Sequence, residues 1–96
     1  MTNIHNVPQS KFTLGGIVIT PAADLKLPPL DISRALMRHC LCDWGDVSDD
    51  EKAANGRALQ DGLRLLSVYH DRNGVVFWVI TEADRSTTTV LLPDDY

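Results

Sequence analysis

The sequence predicts an α+β fold, with an antiparallel sheet of three to four strands (a C-terminal meander) packed against two α-helices. Three observations predict it. The last third carries β-branched and aromatic runs separated by short turn signals. The middle third carries two helix-length segments, each opened by a capping residue. The chain has 96 residues, enough for one domain and not two.

In chain order, residues 1–11 (MTNIHNVPQSK) are polar and aperiodic and read as a flexible N-terminal arm, leaving 12–96 as a single α+β domain. In FTLGGIVIT the β-branched run Ile17–Val18–Ile19–Thr20 is stopped by Pro21, so 16–20 can add a fourth strand. PAADLKLPPL holds three prolines and reads as a connector with one helical turn at Ala22–Leu25. Asp31 offers a side-chain oxygen to cap the first helix, in which Ile32, Ala35, Leu36, His39 and Cys40 share a face. Gly45 lies beyond its last turn, where a left-handed terminator is expected.

Ser48 and Glu51 have capping-box spacing and open the second helix, and Asp49, Asp50 and Glu51 place negative charge in its first turn. Its inward side is thin (Ala54, Ala58, Leu59), and Gly62 ends it. LRLLSVYH (63–70), VVFWVIT (75–81) and STTTVLL (86–92) then form the meander, turned by Asn73-Gly74 and by EADRS at 82–86.

Composition excludes several functions. The longest apolar runs fall far short of the ~20 residues that cross a bilayer, and no basic region precedes an apolar one at the start. A cytoplasmic protein with no membrane role is therefore expected. Net charge is −4, unevenly spread: residues 1–42 hold four Lys/Arg and two Asp/Glu, residues 43–96 five and eleven. A chain with no basic run is poorly equipped to displace phosphate counterions, so no direct nucleic-acid contact is expected.

HCLCDWGD (39–46) is the densest candidate for chemistry. For zinc, four ligands must converge tetrahedrally. On a regular helix Cys40 points about 100° from His39 and about 160° from Cys42, so the three diverge. No metal site and no cofactor are expected. Cys40 reads as a small core residue, Cys42 as a partly exposed thiol and His39 as a core histidine satisfied by the backbone. Asp43, Asp46, Asp49, Asp50 and Glu51 form an acid cluster, read either as a helix start with a solvated loop or as an electronegative patch facing a basic partner. Glu82, Asp84 and Arg85 read either as a turn network, with Arg85 clamping a carboxylate, or as an anion anchor. Trp44 and Trp78 read as core or interface aromatics.

DWGD (43–46), RLLSVY (64–69) and WVITEADRSTTTVLLPDDY (78–96) resemble a family of short bacterial proteins carried on plasmids and other mobile elements, whose chemistry is unassigned. Its members read R-H-x-x-G-D-W-G-D at a helix end, then LLSAY, then WIITEADRS-TTVLLP-EY. The likeness covers roughly 17–96. Arg38, His39, Asp43, Trp44, Gly45, Asp46, Arg64, Glu82, Asp84 and Arg85 match the pattern, whereas Cys42 stands where it has glycine. The resemblance implies a mobile-element setting more than an activity.

Two functions follow as expectations. The first is a small non-enzymatic binding protein acting on a host protein, for instance a counter-defence inhibitor of the anti-CRISPR or antirestriction kind. It would bind through Asp43, Trp44, Asp46, Asp49, Asp50, Glu51, Glu82, Asp84 and Arg85. The alternative is a small hydrolase or nucleotide-handling enzyme using His39 with Asp43 or Asp46, and Arg85 as anion anchor. The two differ in geometry: an enzyme needs His39, Asp46 and Arg85 converging in a pocket. A homodimer through an exposed sheet edge or apolar patch is compatible with either.

Overall fold

The computed structural model describes residues 9–96. Residues 1–8, most of the expected arm, lie outside the described residues. Lys11 N donates to Cys40 O at 2.8 Å, so the arm's last residue docks on the body.

The architecture is α+β. Strand β1 (Gly16–Ile19) is followed by three helices, α1 (Pro21–Lys26), α2 (Pro29–Cys40) and α3 (Asp49–Asp61). Strands β2 (Leu65–His70), β3 (Val76–Thr81) and β4 (Thr87–Leu91) come next, then a 3₁₀ turn at Pro93–Asp95. The sheet order is β1-β4-β3-β2. The meander is antiparallel as expected, and β1 adds to it parallel to β4 (Gly16↔Thr87, Ile19↔Val90), so the four-stranded sheet is mixed. The crossover that a parallel pair requires is supplied by all the intervening chain.

The connector forms a complete short helix, α1, because Thr20 caps it, its hydroxyl accepting from Ala23 N at 3.2 Å, and Pro21 occupies the first turn. The expected cap of α2 is corrected: the helix begins at Pro29, whose fixed φ suits a first turn. Asp31 instead accepts from Arg72 N (3.0 Å), Nε (3.1 Å) and Nη2 (2.8 Å), tying α2 to the β2–β3 turn. Gly45 does not terminate α2 either. The left-handed residue after that helix is Cys42 (φ +64), and Gly45 (φ +75) forms an isolated parallel bridge to Val68 of β2.

The Ser48–Glu51 cap of α3 is present, Ser48 Oγ accepting from Glu51 N at 3.1 Å, and Gly62 closes the helix at φ +67. The inward residues of α3 are Asn55 and Ala58, whereas Ala54 is exposed. The β2–β3 turn is organised less by Asn73 than by Asp71, whose Oδ1 accepts from Asn73 N and Val75 N, both at 2.8 Å. Only Gly74 of that pair takes a positive φ.

Strand alternation gives the sheet two faces. One packs under α1 and α2, where Ala23, Ile32 and Ala35 meet Tyr69, Phe77, Val79 and Val90. A second cluster sets Trp44, Ala58 and Leu65 together near α3.

Candidate functional site

His39 lies within the inner face and is wholly buried. Its Nδ1 is 2.5 Å from Ser67 Oγ and its Nε2 is 2.9 Å from Thr81 Oγ1. Thr81 is 2.7 Å from Thr88 Oγ1, and Thr88 donates to the Leu14 carbonyl at 2.7 Å. A carbonyl can only accept, which orients the whole chain of bonds. Thr88 gives its proton to Leu14, Thr81 gives to Thr88 and His39 Nε2–H gives to Thr81, and with the ring held neutral by its low pKa, Ser67 gives to His39 Nδ1. The imidazole is thus a neutral Nε2–H tautomer satisfied by two hydroxyls, not by the backbone as the sequence suggested. Burial first, then the Arg85 charge, pushes its pKa down to about 4. Phe12 and Trp44 close over it edge-on, with ring centroids at 5.2 and 5.6 Å. A serine beside a histidine resembles a nucleophile–base pair, but Ser67 is equally buried.

Asp43 and Asp46 lie elsewhere. Asp43 is exposed and held by Arg38 through Nε (2.7 Å) and Nη2 (3.2 Å), bonds that lower its carboxyl pKa and raise that of the guanidinium. Asp46 accepts from His70 Nδ1 at 2.8 Å on the surface. Asp49, Asp50 and Glu51 are exposed along the first turn of α3. Trp44 is buried, stacked on Phe12 at 6.2 Å.

Arg85 clamps no carboxylate. Its guanidinium donates to the carbonyls of Leu63 (2.6 Å), Ala58 (3.1 Å) and Glu82 (3.1 Å), satisfying the end of α3 and fixing the β3–β4 turn against it. Asp84 is turned inward on its own loop, accepting from Ser86 N (3.0 Å) and Oγ (2.6 Å), which lowers its pKa. His39, Asp46 and Arg85 are therefore each engaged with different partners and form no common pocket. Among the described residues no group of three or more His, Cys, Asp or Glu is placed to hold a metal. Both cysteines are free, and burial pushes the Cys42 thiol pKa up.

The other face of the sheet carries a cross-strand apolar and aromatic surface that sequence reasoning did not single out. Register sets Val68, Trp78 and Leu91 in one cross-strand row, and Leu66, Ile80, Thr89 and Val18 in the next. None of these belongs to the clusters under the helices. Tyr96 crosses the face, its ring edge-on to Trp78 at 5.4 Å and its hydroxyl accepting from Arg64 Nη1 at 2.9 Å, while itself 71% exposed. Arg64 also pairs with Glu82 at 3.1 Å. Glu51 borders the same face, sharing a shallow pocket with Leu66 and Asn55. The available signal was VVFWVIT itself, apolar at every position but its last, which a strand covered on one face does not require.

No protein-family model, curated protein or solved structure matches the chain in the three comparisons made. Among the described residues no helix is long and apolar enough to cross a membrane.

Proposed function

We propose that this chain is a small non-enzymatic binding protein of a mobile genetic element that acts on a host protein in the cytoplasm, as a counter-defence inhibitor would. The observation that carries the reading is the sheet face turned away from α1 and α2. It presents Tyr96 and the half-buried Trp78, Val68 and Leu66 over buried Ile80 and Leu91, aromatic and aliphatic content of the kind that protein interfaces concentrate at their centre. Glu51 borders it, Glu82 stands beside it in its pair with Arg64, and the acid-rich start of α3 adds Asp49 and Asp50. A basic protein surface, such as one that otherwise holds nucleic acid, complements that rim.

The mobile-element setting rests on the resemblance of residues 43–46, 64–69 and 78–96. A second feature supports it: Cys42, where the pattern has glycine, occupies a left-handed backbone position.

The test is affinity capture from a bacterial host with the full chain and its Trp78→Ala and Glu51→Lys variants as baits, each checked for native circular dichroism. One host protein held by the wild type, released by salt and weakened about tenfold or more by Trp78→Ala is the expected result. Retention that ignores both substitutions sinks the reading.

A further inference from the structure

Between α2 and the β2–β3 turn, remote from the open sheet face, lies a cleft of about 300 Å³. That is at the small end of the range for small-molecule sites. Its floor is Ala35, Tyr69 and Phe77, all buried, and the small side chain at Ala35 leaves the space. Its walls carry charge. Arg72 is bound to Asp31, Arg38 to Asp43 and His70 to Asp46. Once these pairs are set aside, two charged side chains remain on the walls without an ion pair among the described residues. Arg34 stands on the helix wall and Asp71 on the turn wall.

Asp71 is the more telling of the two. It is only 3% exposed, and although its Oδ1 accepts two backbone N–H groups, its Oδ2 is buried with no hydrogen-bond partner among the described residues. A buried carboxylate oxygen left without a donor is costly, and native structures rarely keep one without a use. Arg34, one helical turn from Arg38, is exposed, makes no ion pair among the described residues and acts on Asp31 only through its charge, so its guanidinium can turn toward an occupant.

We infer that this cleft binds a small zwitterion of the amino-acid class, its ammonium donating to Asp71 Oδ2 and its carboxylate accepting from Arg34. A lone cation leaves Arg34 unmatched and a lone anion leaves Asp71 unmatched. A molecule carrying both charges answers the two walls together. Oδ2 has no exposed surface in this structure, so the ammonium reaches it by a shift of the side chains that line the cleft. The site stands whether or not the sheet face docks a host protein.

The test is an NMR titration of the full chain with β-alanine and δ-aminovalerate, two zwitterions of different span, and with butylamine and butyrate as half-probes. The expected result is saturable shifts on both walls, residues 34–38 and 70–75, with at least one zwitterion binding about tenfold or more tighter than either half-probe. Asp71→Asn keeps a turn-forming oxygen but places an NH₂ where Oδ2 stood, and it should weaken binding about tenfold or more. Arg34→Gln, on an exposed helix surface, should do the same and decides the matter alone if the first variant fails to fold. No saturation with either zwitterion, a half-probe binding equally well, or unchanged binding in the folded variants overturns the site.

Discussion

The two edges of the sheet are finished differently. Along β2 the outward backbone groups are taken up by residues from elsewhere in the chain. Asn55 acts as a surrogate strand, its Nδ2 donating to Leu66 O at 2.8 Å and its Oδ1 accepting from Leu66 N at 3.1 Å. Two residues on, Val68 N donates to Trp44 O at 3.0 Å and Val68 O accepts from Asp46 N at 2.7 Å. Along β1, Gly16 N and Thr20 N donate to Ser86 and Val90, so the alternation of a parallel ladder turns the polar groups of Ile17 and Ile19 outward. Ile17 and Val18 are 44% and 48% exposed, and no charged residue, proline or bulge lies within the strand to blunt it. Sealing an edge thus demands particular residues at distant positions, whereas leaving one open demands nothing of the rest of the chain.

The sealed edge should accordingly be the fragile one. A Cβ at Gly45 would collide with the Val68 carbonyl oxygen and come within 2.6 and 2.8 Å of the Tyr69 ring, on a backbone already at φ +75. Gly62 has a similar φ of +67 with open space around it. Gly45→Ala should destabilise the fold by about 3 kcal/mol or more, and Gly62→Ala by only about 1 kcal/mol. Urea midpoints of the two variants check this. Equal costs would mean that residues 44–46 do not clasp β2.

A smaller effect should come from the bond network that ties the two edges together through Ser67, Thr81, Thr88 and Leu14. His39 at its head has its folded pKa lowered from 6.5 to about 4. A histidine held neutral in the fold but protonated when unfolded contributes stability that is full above the unfolded pKa. That contribution is lost as pH falls toward the folded value. Between about pH 7.5 and about pH 5 the loss should be about 2 kcal/mol. The lowered carboxyl pKa values of Asp31, Asp43 and Asp84 act below this window, since an ordinary aspartate titrates at 3.8. Urea unfolding across the range should show the slope, and His39→Asn should flatten it. A wild-type stability independent of pH there would mean that the imidazole is not sequestered.

What sequence could foresee followed the range of the interactions involved. The meander, the Ser48–Glu51 cap and the Gly62 terminator are local, set by residues within a turn of one another, and they appear where expected. The misplaced expectations involved distant partners. Asp31 looked like a cap because Arg72 is 41 positions away. Gly45 looked like a terminator because its need for a bare Cα comes from Val68 and Tyr69. Arg85 looked like a carboxylate clamp because the carbonyls of α3 that it satisfies are not neighbours in sequence. Asn55 drew no notice, since nothing in a helical stretch of small polar residues announces that one of them will face a strand edge. Several residues singled out in the sequence, including His39, Gly45, Arg64 and Arg85, are occupied in holding the fold.

The β1 edge, open among the described residues, should be the tolerant one in the fold and the sensitive one in association. Val18→Lys places a charge at a half-exposed position with no buried partner, so its effect on stability should stay within about 0.5 kcal/mol. If copies of the chain pair through β1, an antiparallel two-fold centred on Val18 would set Ile17 of each strand against Ile19 of the other, and their outward groups would satisfy one another. Sedimentation of the wild type should then rise with concentration above the 10.6 kDa species, and Val18→Lys should hold it at that mass. A wild type that stays at 10.6 kDa throughout refutes self-pairing. A Val18→Lys cost well above 1 kcal/mol would show that the edge is covered after all, because a lysine on a bare edge keeps its charge in water.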